Sequence, residues 1–243
     1  MCGRFELHTH PAAIALAFGL SAPPALRPRY NIAPMQPVPI VRQNSAGERV
    51  LSEMRWGLVP RWAKDPSIGA KLINARGEGI ADKPAFRAAF QWHRCLLPAD
   101  GFYEWKAVKG GKQPYLVASK SGAPLGLAGL YERWLAPDGQ VLDTCTIVTT
   151  DANDLLRDVH DRMPLIIAPE DYARWLDRST SAVTDLIAPY PADALRVHPI
   201  SSRVNAVKND DAALLERVDE APAEEGPESV PDDSEMPEQP ELF

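Results

Sequence analysis

The 243-residue sequence predicts a mixed fold of many short strands and a few short helices, with enough chain to bury a substantial core. Apolar stretches rich in β-branched residues recur along it, residues 143–149 (DTCTIVT) being the clearest. Turn residues separate them, as at Asn44-Ser45-Ala46-Gly47 and Pro137-Asp138-Gly139. Helical stretches are short and end at Gly or Pro, and no internal repeat is present.

In chain order, residues 10–18 read as an apolar helix, with Pro11 in its first turn and Gly19 as its stop. The proline-rich connection 21–39 cannot be helix or central strand, so an ordered extended path carrying Arg27, Arg29, Tyr30 and Asn31 is expected. Residues 38–43 and 49–56 read as paired strands running into Trp56-Gly57-Leu58-Val59-Pro60-Arg61-Trp62, where Trp56 suits a core and Trp62 either core or surface. A helix from Asp82 to about Phe90 follows, then strands at 94–98, 114–118, 125–134 and 143–149. Helices are expected at 151–159, 169–177 and 181–187, and strands at 165–168 and 195–199. The body closes near Arg217, giving one domain over residues 1–217.

Composition excludes several classes. No apolar run approaches the ~18–20 residues of a membrane span, and no basic-then-apolar leader opens the chain. Cys2, Cys95 and Cys145 are scattered, with neither a disulfide framework nor a zinc-ligand spacing, so a cytosolic protein with reduced thiols is expected. The formal charge of -7 is concentrated at the end: residues 219–243 hold ten acidic residues and no Lys or Arg, leaving 26 basic against 23 acidic elsewhere. A mildly basic body permits a polyanionic partner.

Four positions carry distinctive chemistry. Removal of Met1 would give Cys2 a free α-amine beside its thiol, a 1,2-aminothiol that condenses with an aldehyde to a thiazolidine. In an extended segment Asn74, Arg76 and Glu78 share one face. Glu104 lies within Phe102-Tyr103-Glu104-Trp105, where burial would raise its pKa and suit it to acid/base work. His160 stands where a helix breaks before Pro164, beside Asp161 and Arg162.

At these points the chain resembles the SOS-response-associated peptidase (SRAP) family, whose members process abasic sites in DNA. The resemblance rests on Met1-Cys2-Gly3-Arg4-Phe5, Arg29-Tyr30-Asn31-Ile32-Ala33-Pro34, Trp56-Gly57-Leu58-Val59-Pro60 and Ile73-Asn74-Ala75-Arg76. Asp100-Gly101-Phe102-Tyr103-Glu104-Trp105, His160-Asp161-Arg162-Met163-Pro164 and Val204-Asn205-Ala206-Val207-Lys208-Asn209 complete it. It implies a single α+β domain around a curved, mainly antiparallel sheet or partial barrel, acting as a monomer on single-stranded DNA at the bacterial nucleoid. It also implies a covalent thiazolidine link from Cys2 to abasic sites, with Asn74, Glu104 and His160 completing the catalytic set and AP-lyase chemistry as a side path. That implied chemistry needs no metal or organic cofactor. Arg4, Arg76 and Arg162 suit phosphate, and Trp62 suits a stacking wedge made smaller by Ala63 beside it. A cysteine peptidase and a non-covalent single-strand-binding module are the alternatives.

From Val218 to Phe243 the composition turns to Glu, Asp, Pro and Ser, which predicts a disordered acidic tail. Its last residues, Gln239-Pro240-Glu241-Leu242-Phe243, resemble the peptide by which bacterial replication and repair proteins dock on the sliding clamp. Gln239, Leu242 and Phe243 would be the anchors, and Pro240 departs from that pattern.

Overall fold

The computed structural model describes residues 2–180 and 182–219. In chain order its elements begin with β1 (Phe5–Leu7), α1 (Pro11–Phe18), β2 (Arg29–Ile32), β3 (Pro37–Gln43), β4 (Arg49–Trp56) and β5 (Asn74–Arg76). They continue with α2 (Arg87–Trp92), β6 (Arg94–Ala99), β7 (Gly101–Val108), β8 (Gly111–Ser119), β9 (Leu125–Leu135) and β10 (Val141–Asp151). β11 (Arg162–Pro164), β12 (Ile166–Ile167), α3 (Tyr172–Leu176) and β13 (Leu195–Pro199) follow.

Two sheets result. One has five strands in the order β13-β8-β7-β1-β2, and the other has eight, in the order β11-β10-β4-β3-β6-β9-β12 with β5 attached to β10. Because β9 also pairs with β10, the strands β10, β4, β3, β6 and β9 close on themselves. The α+β class therefore holds, and the expected partial barrel is a closed one. Antiparallel neighbours reverse direction at every step, so a ring with an odd number of strands needs a parallel pair. That pair is β4 with β10, in register Arg55 to Thr144 and Trp56 to Cys145.

Glycine makes the ring tight enough. A Cβ at Gly129 in β9 would lie 2.4 Å from Leu97 Cδ1, 2.9 Å from Cys95 Sγ and 3.0 Å from the Thr146 carbonyl oxygen. The barrel core is filled from its own strands and from the helices that cover them, and Cys95 and Cys145 are fully buried free thiols within it. Arg94 at the start of β6 is also buried, donating to the carbonyls of Phe90, Trp175, Asp177 and Thr180 and so tying α2 and α3 to the barrel.

Several sequence expectations shift. The helix expected from Asp82 begins only at Arg87: Pro84 disfavours a helical Lys83, and residues 84–86 form a turn whose hydrogen bonds run from Phe86 N and Arg87 N to the Lys83 carbonyl. Asp151 ends β10 and residues 154–159 form consecutive turns rather than a helix, the turn hydrogen bonds stopping at His160. Helix 169–177 divides into a 3-10 turn and α3, and helix 181–187 reduces to the 3-10 turn Thr184–Leu186. The proline-rich connection contributes β2 as an edge strand, which is where proline-flanked residues can pair. No helix among the described residues is long and apolar enough to cross a membrane. The tail expectation, with Gln239, Leu242 and Phe243, lies outside the described residues apart from Val218, which donates to the Pro199 carbonyl, and Asp219.

Candidate active site

The four positions with distinctive chemistry lie along the seam between the two sheets. Cys2 leads into β1 and Glu104 is in β7, neighbouring strands of the five-stranded sheet. Asn74 opens β5 and His160 stands just before β11, both on β10 of the other sheet. A hydrogen bond crosses the seam at the site: Asn74 Nδ2 donates to the Cys2 carbonyl at 2.8 Å. Trp56 braces the same join, since its fully buried ring meets Phe5 edge-on at 5.3 Å and its Nε1 donates to the Ile73 carbonyl at 2.8 Å. The chain then turns at Gly57, whose φ of 138° and Cβ distance of only 2.8 Å from the Gly69 carbonyl oxygen exclude a side chain.

Burial sets the protonation of this seam. Cys2 is fully buried, and burial followed by the nearby Glu104 charge pushes its thiol far above the ordinary range. Glu104 is 2% exposed, and burial raises its carboxyl to about 7, with the Asp161 charge adding to the rise. Near neutrality that group is divided between acid and base, as a proton-transfer role requires. Burial lowers the His160 pKa and favours the neutral ring. Its Nδ1 faces a donor, Arg162 N at 3.0 Å, and an acceptor, Asp161 Oδ1 at 2.8 Å. The first contact suits a proton on Nε2 and the second a proton on Nδ1, so the ring sits between two protonation arrangements.

The candidate DNA-contacting residues divide. Arg76 is exposed, on the same face of β5 as Asn74 by strand alternation. Trp62 is 60% exposed, and its Nε1 donates to the Pro84 carbonyl, while the neighbouring Lys83 Nζ donates to the carbonyls of Arg76 and Glu78. These contacts place Trp62 beside the turn that follows β5. Ala63 points the other way, buried with Val59 and Trp134. Arg162 is 8% exposed and donates twice to Glu78 at 2.8 Å, to Asp151 at 2.6 Å and to the Thr149 carbonyl at 2.8 Å. Arg4 donates to Asn31 Oδ1 and the Val204 carbonyl, with its guanidinium over Trp105 at 6.0 Å.

Sequence reasoning missed Lys112. Its charge acts on both Glu104 and His160, lowering the pKa of each, yet its position at the start of β8 follows from the β7–β8 hairpin register and from no local motif. Among the described residues one group of donors is spaced to hold a cation, Glu6, His8 and Asp100. Asp100 accepts from the His8 and Thr9 backbone, and His8 Nδ1 pairs with Glu6 at 2.6 Å, so these atoms already satisfy one another. Cross-strand pairing of Phe5 with Phe102 and Glu6 with Gly101 puts Glu6 on the face of the sheet opposite Glu104.

The bridging amide gives a direct expectation. Asn74→Ala removes the seam hydrogen bond and is expected to slow any reaction at Cys2 by about ten- to a hundredfold through lost orientation. Single-turnover kinetics, with thermal melting to confirm folding, check this.

Comparison with known proteins gives the family of the chain. The family model described as SOS response associated peptidase (SRAP) matches residues 1–207. The abasic site processing protein YoaM of Bacillus subtilis is 43% identical over 223 residues, covering 89% of this chain and 98% of that protein. The abasic site processing protein HMCES of Gallus gallus is 35% identical over 223 residues, covering 78% of this chain and 66% of that protein. Among solved structures, a protein from Bacteroides thetaiotaomicron superposes with a TM-score of 0.80 at 26% identity, covering 89% of this chain and all of that one. Over residues 1–207, the chain belongs to the SOS response associated peptidase (SRAP) family.

Proposed function

We propose that this protein captures abasic sites in single-stranded DNA by forming a thiazolidine between the N-terminal Cys2 and the opened deoxyribose. The observation that carries the reading is the seam itself: a Cys2 held by Asn74 beside a buried carboxyl poised near neutrality. The names of the related proteins support the substrate class.

The chemistry follows from the residues. An abasic deoxyribose is mostly a closed hemiacetal. Opening it moves the proton of the C1′ hydroxyl away and delivers one to O4′, for which Glu104 and His160 are the available groups. The Cys2 amine, freed by loss of Met1, attacks the C1′ aldehyde and expels water to form an imine. The Cys2 S–H then adds across C=N, sulfur bonding to C1′ and the proton ending on nitrogen. Burial keeps the thiol protonated until that step, so the amine acts first. A peptidase needs the reverse, a thiolate ready at neutral pH, and the raised thiol pKa weighs against that alternative. Should sulfur addition be delayed, the imine acidifies the C2′ protons and elimination of the 3′ phosphate becomes accessible, which is lyase chemistry.

In this reading Arg76 and Arg4 approach phosphates, and Trp62 stacks at the gap left by the missing base. Arg162 would reach phosphate by exchanging one of its two carboxylate partners. The tail would tether the protein to the sliding clamp and raise its concentration at replication forks. Replacing Leu242 and Phe243 with Ala is expected to abolish clamp binding in a pull-down with purified clamp. Unchanged binding would remove that role.

The functional test is incubation of the Met1-free protein with abasic single-stranded DNA, followed by denaturing electrophoresis. A shifted band that requires Cys2 is expected. Absence of such a band, with folded protein and intact abasic DNA, would sink the reading.

A further inference from the structure

Two of the sequence motifs have no part in the reacting set: Arg29-Tyr30-Asn31-Ile32 in β2, and the segment from Val204 to Asn209. In the structure they bind each other, and the link is one side chain. Asn31 is 1% exposed. Its Oδ1 accepts from Arg4 Nη1 at 2.6 Å, and its Nδ2 donates to the carbonyls of Val204 at 3.1 Å, Ala206 at 3.2 Å and Asn209 at 2.7 Å. Arg4 Nη1 reaches the same Val204 carbonyl at 2.8 Å. The amide therefore joins the start of the chain to a segment about two hundred residues away and leaves Arg4 one fixed direction.

That direction matters because the join surrounds Glu104. The Arg4 guanidinium lies over the Trp105 ring, whose Nε1 donates to Asn205 Oδ1 at 2.8 Å. On the other side Tyr103 N donates to the Arg4 carbonyl at 2.9 Å, and Tyr103 OH to the Tyr30 carbonyl at 2.7 Å. Both neighbours of Glu104 are thus tied to Arg4 or to the strand of Asn31. Arg4 in turn is two residues from Cys2.

We propose that Asn31 is a positioning residue that acts through Arg4, its amide oxygen aiming the guanidinium at the DNA beside the Cys2–Glu104 seam. This rests on the function proposed above. Loss of the amide frees Arg4 to rotate, whereas a carboxylate in its place keeps the acceptor for Arg4 while turning an oxygen instead of a donor toward the Val204, Ala206 and Asn209 carbonyls. An effect exerted wholly through Arg4 must vanish once Arg4 is gone.

A double-mutant cycle tests it, with single-turnover crosslinking at saturating abasic DNA and affinity for undamaged single-stranded DNA measured in parallel. Arg4→Ala and Asn31→Ala are each expected to lower the crosslinking rate about tenfold, and the double variant is expected to be no slower than Arg4→Ala alone. Asn31→Asp, which retains the acceptor, is expected to stay within about threefold of the unaltered chain. Losses that multiply to about a hundredfold in the double variant, or Asn31→Asp as slow as Asn31→Ala, would overturn the proposal. If Asn31→Ala does not fold, Asn31→Ser takes its place in the cycle. If the unaltered chain binds DNA but forms no crosslink, the functional reading fails and the affinity cycle decides the role of Asn31 by the same criteria. If it neither binds nor crosslinks, both fall.

Discussion

Glu104→Gln is expected to slow crosslinking by about two to four orders of magnitude, the range that one well-placed proton-transfer group supplies. The amide keeps the shape and removes the proton. The same substitution is expected to stabilise the fold at alkaline pH. In the folded chain burial holds the Glu104 carboxyl at about 7, against an ordinary 4.5, so the folded state binds that proton more tightly than the unfolded state does. Stability from this group is then complete below about 4.5 and falls as pH rises to about 7, where the cost of the buried charge levels off. The full difference is on the order of 3 kcal/mol. Glu104→Gln should match the unaltered chain in melting temperature near pH 4.5 and exceed it at pH 8. Equal melting temperatures at pH 8 would contradict the buried, raised carboxyl. Glu6, also held at about 7 by burial, tilts both proteins alike and cancels in the comparison.

The pH dependence of the rate follows. Protonated Glu104 becomes scarce above about 7, while the free α-amine becomes abundant only near its reference value of about 7.7–8.0. Their product gives a bell with its maximum between the two. In Glu104→Gln the falling limb should disappear, leaving a slow rate that only rises with pH. A bell that persists in the variant would assign the falling limb to another group.

The second large effect concerns Cys2. Cys2→Ala keeps the α-amine once Met1 is removed but has no sulfur to close the ring. Stable crosslinking is expected to fall below detection, while a borohydride-trappable imine and some strand cleavage remain. Blocking Met1 removal, or extending the N-terminus, locks the Cys2 nitrogen in a peptide bond and should abolish the stable crosslink, with affinity for undamaged single-stranded DNA retained. A Cys2→Ala protein that crosslinks as stably as the unaltered one would break the link between the aminothiol and the reaction. Because Cys2 is fully buried, the same variant also tests packing, and a methyl in place of a thiol leaves only a small void.

Much of this site was legible in the residues, for reasons that differ from place to place. Glu104 lies among aromatic rings in sequence, a setting that fits either a buried or an exposed strand position, and only the fold makes it buried with a raised pKa. Asn74 and Arg76 were placed on one face by strand alternation alone. Trp56 and Trp62 separated into core and surface, which their spacing left open for Trp62. What could not be read was long-range. The ring closes through a β9–β10 pairing and a parallel β4–β10 pairing, and neither leaves a local periodicity. The Asn31 bonds to Val204, Ala206 and Asn209 span more than 170 residues. Arg162 looked like a free cation in sequence, and only the fold brings Glu78 and Asp151 to it. Residues 151–159 carry a helical pattern of apolar residues, yet Asp151 completes β10 through its pairing with Arg162, a long-range contact the local pattern does not show, and only 154–159 turn.

The central claim is that one residue supplies both atoms bonded to C1′, and the state of the Cys2 sulfur in the DNA adduct tests it most directly. The purified adduct is treated with borohydride and a thiol-alkylating reagent, digested, and its N-terminal peptide is weighed by mass spectrometry. A thiazolidine has no C=N to reduce and no free thiol to alkylate, so the peptide should carry the deoxyribose remnant less one water, with neither hydride uptake nor an alkyl group. A peptide that gains two hydrogens and an alkylated Cys2 would show a simple imine and contradict the account.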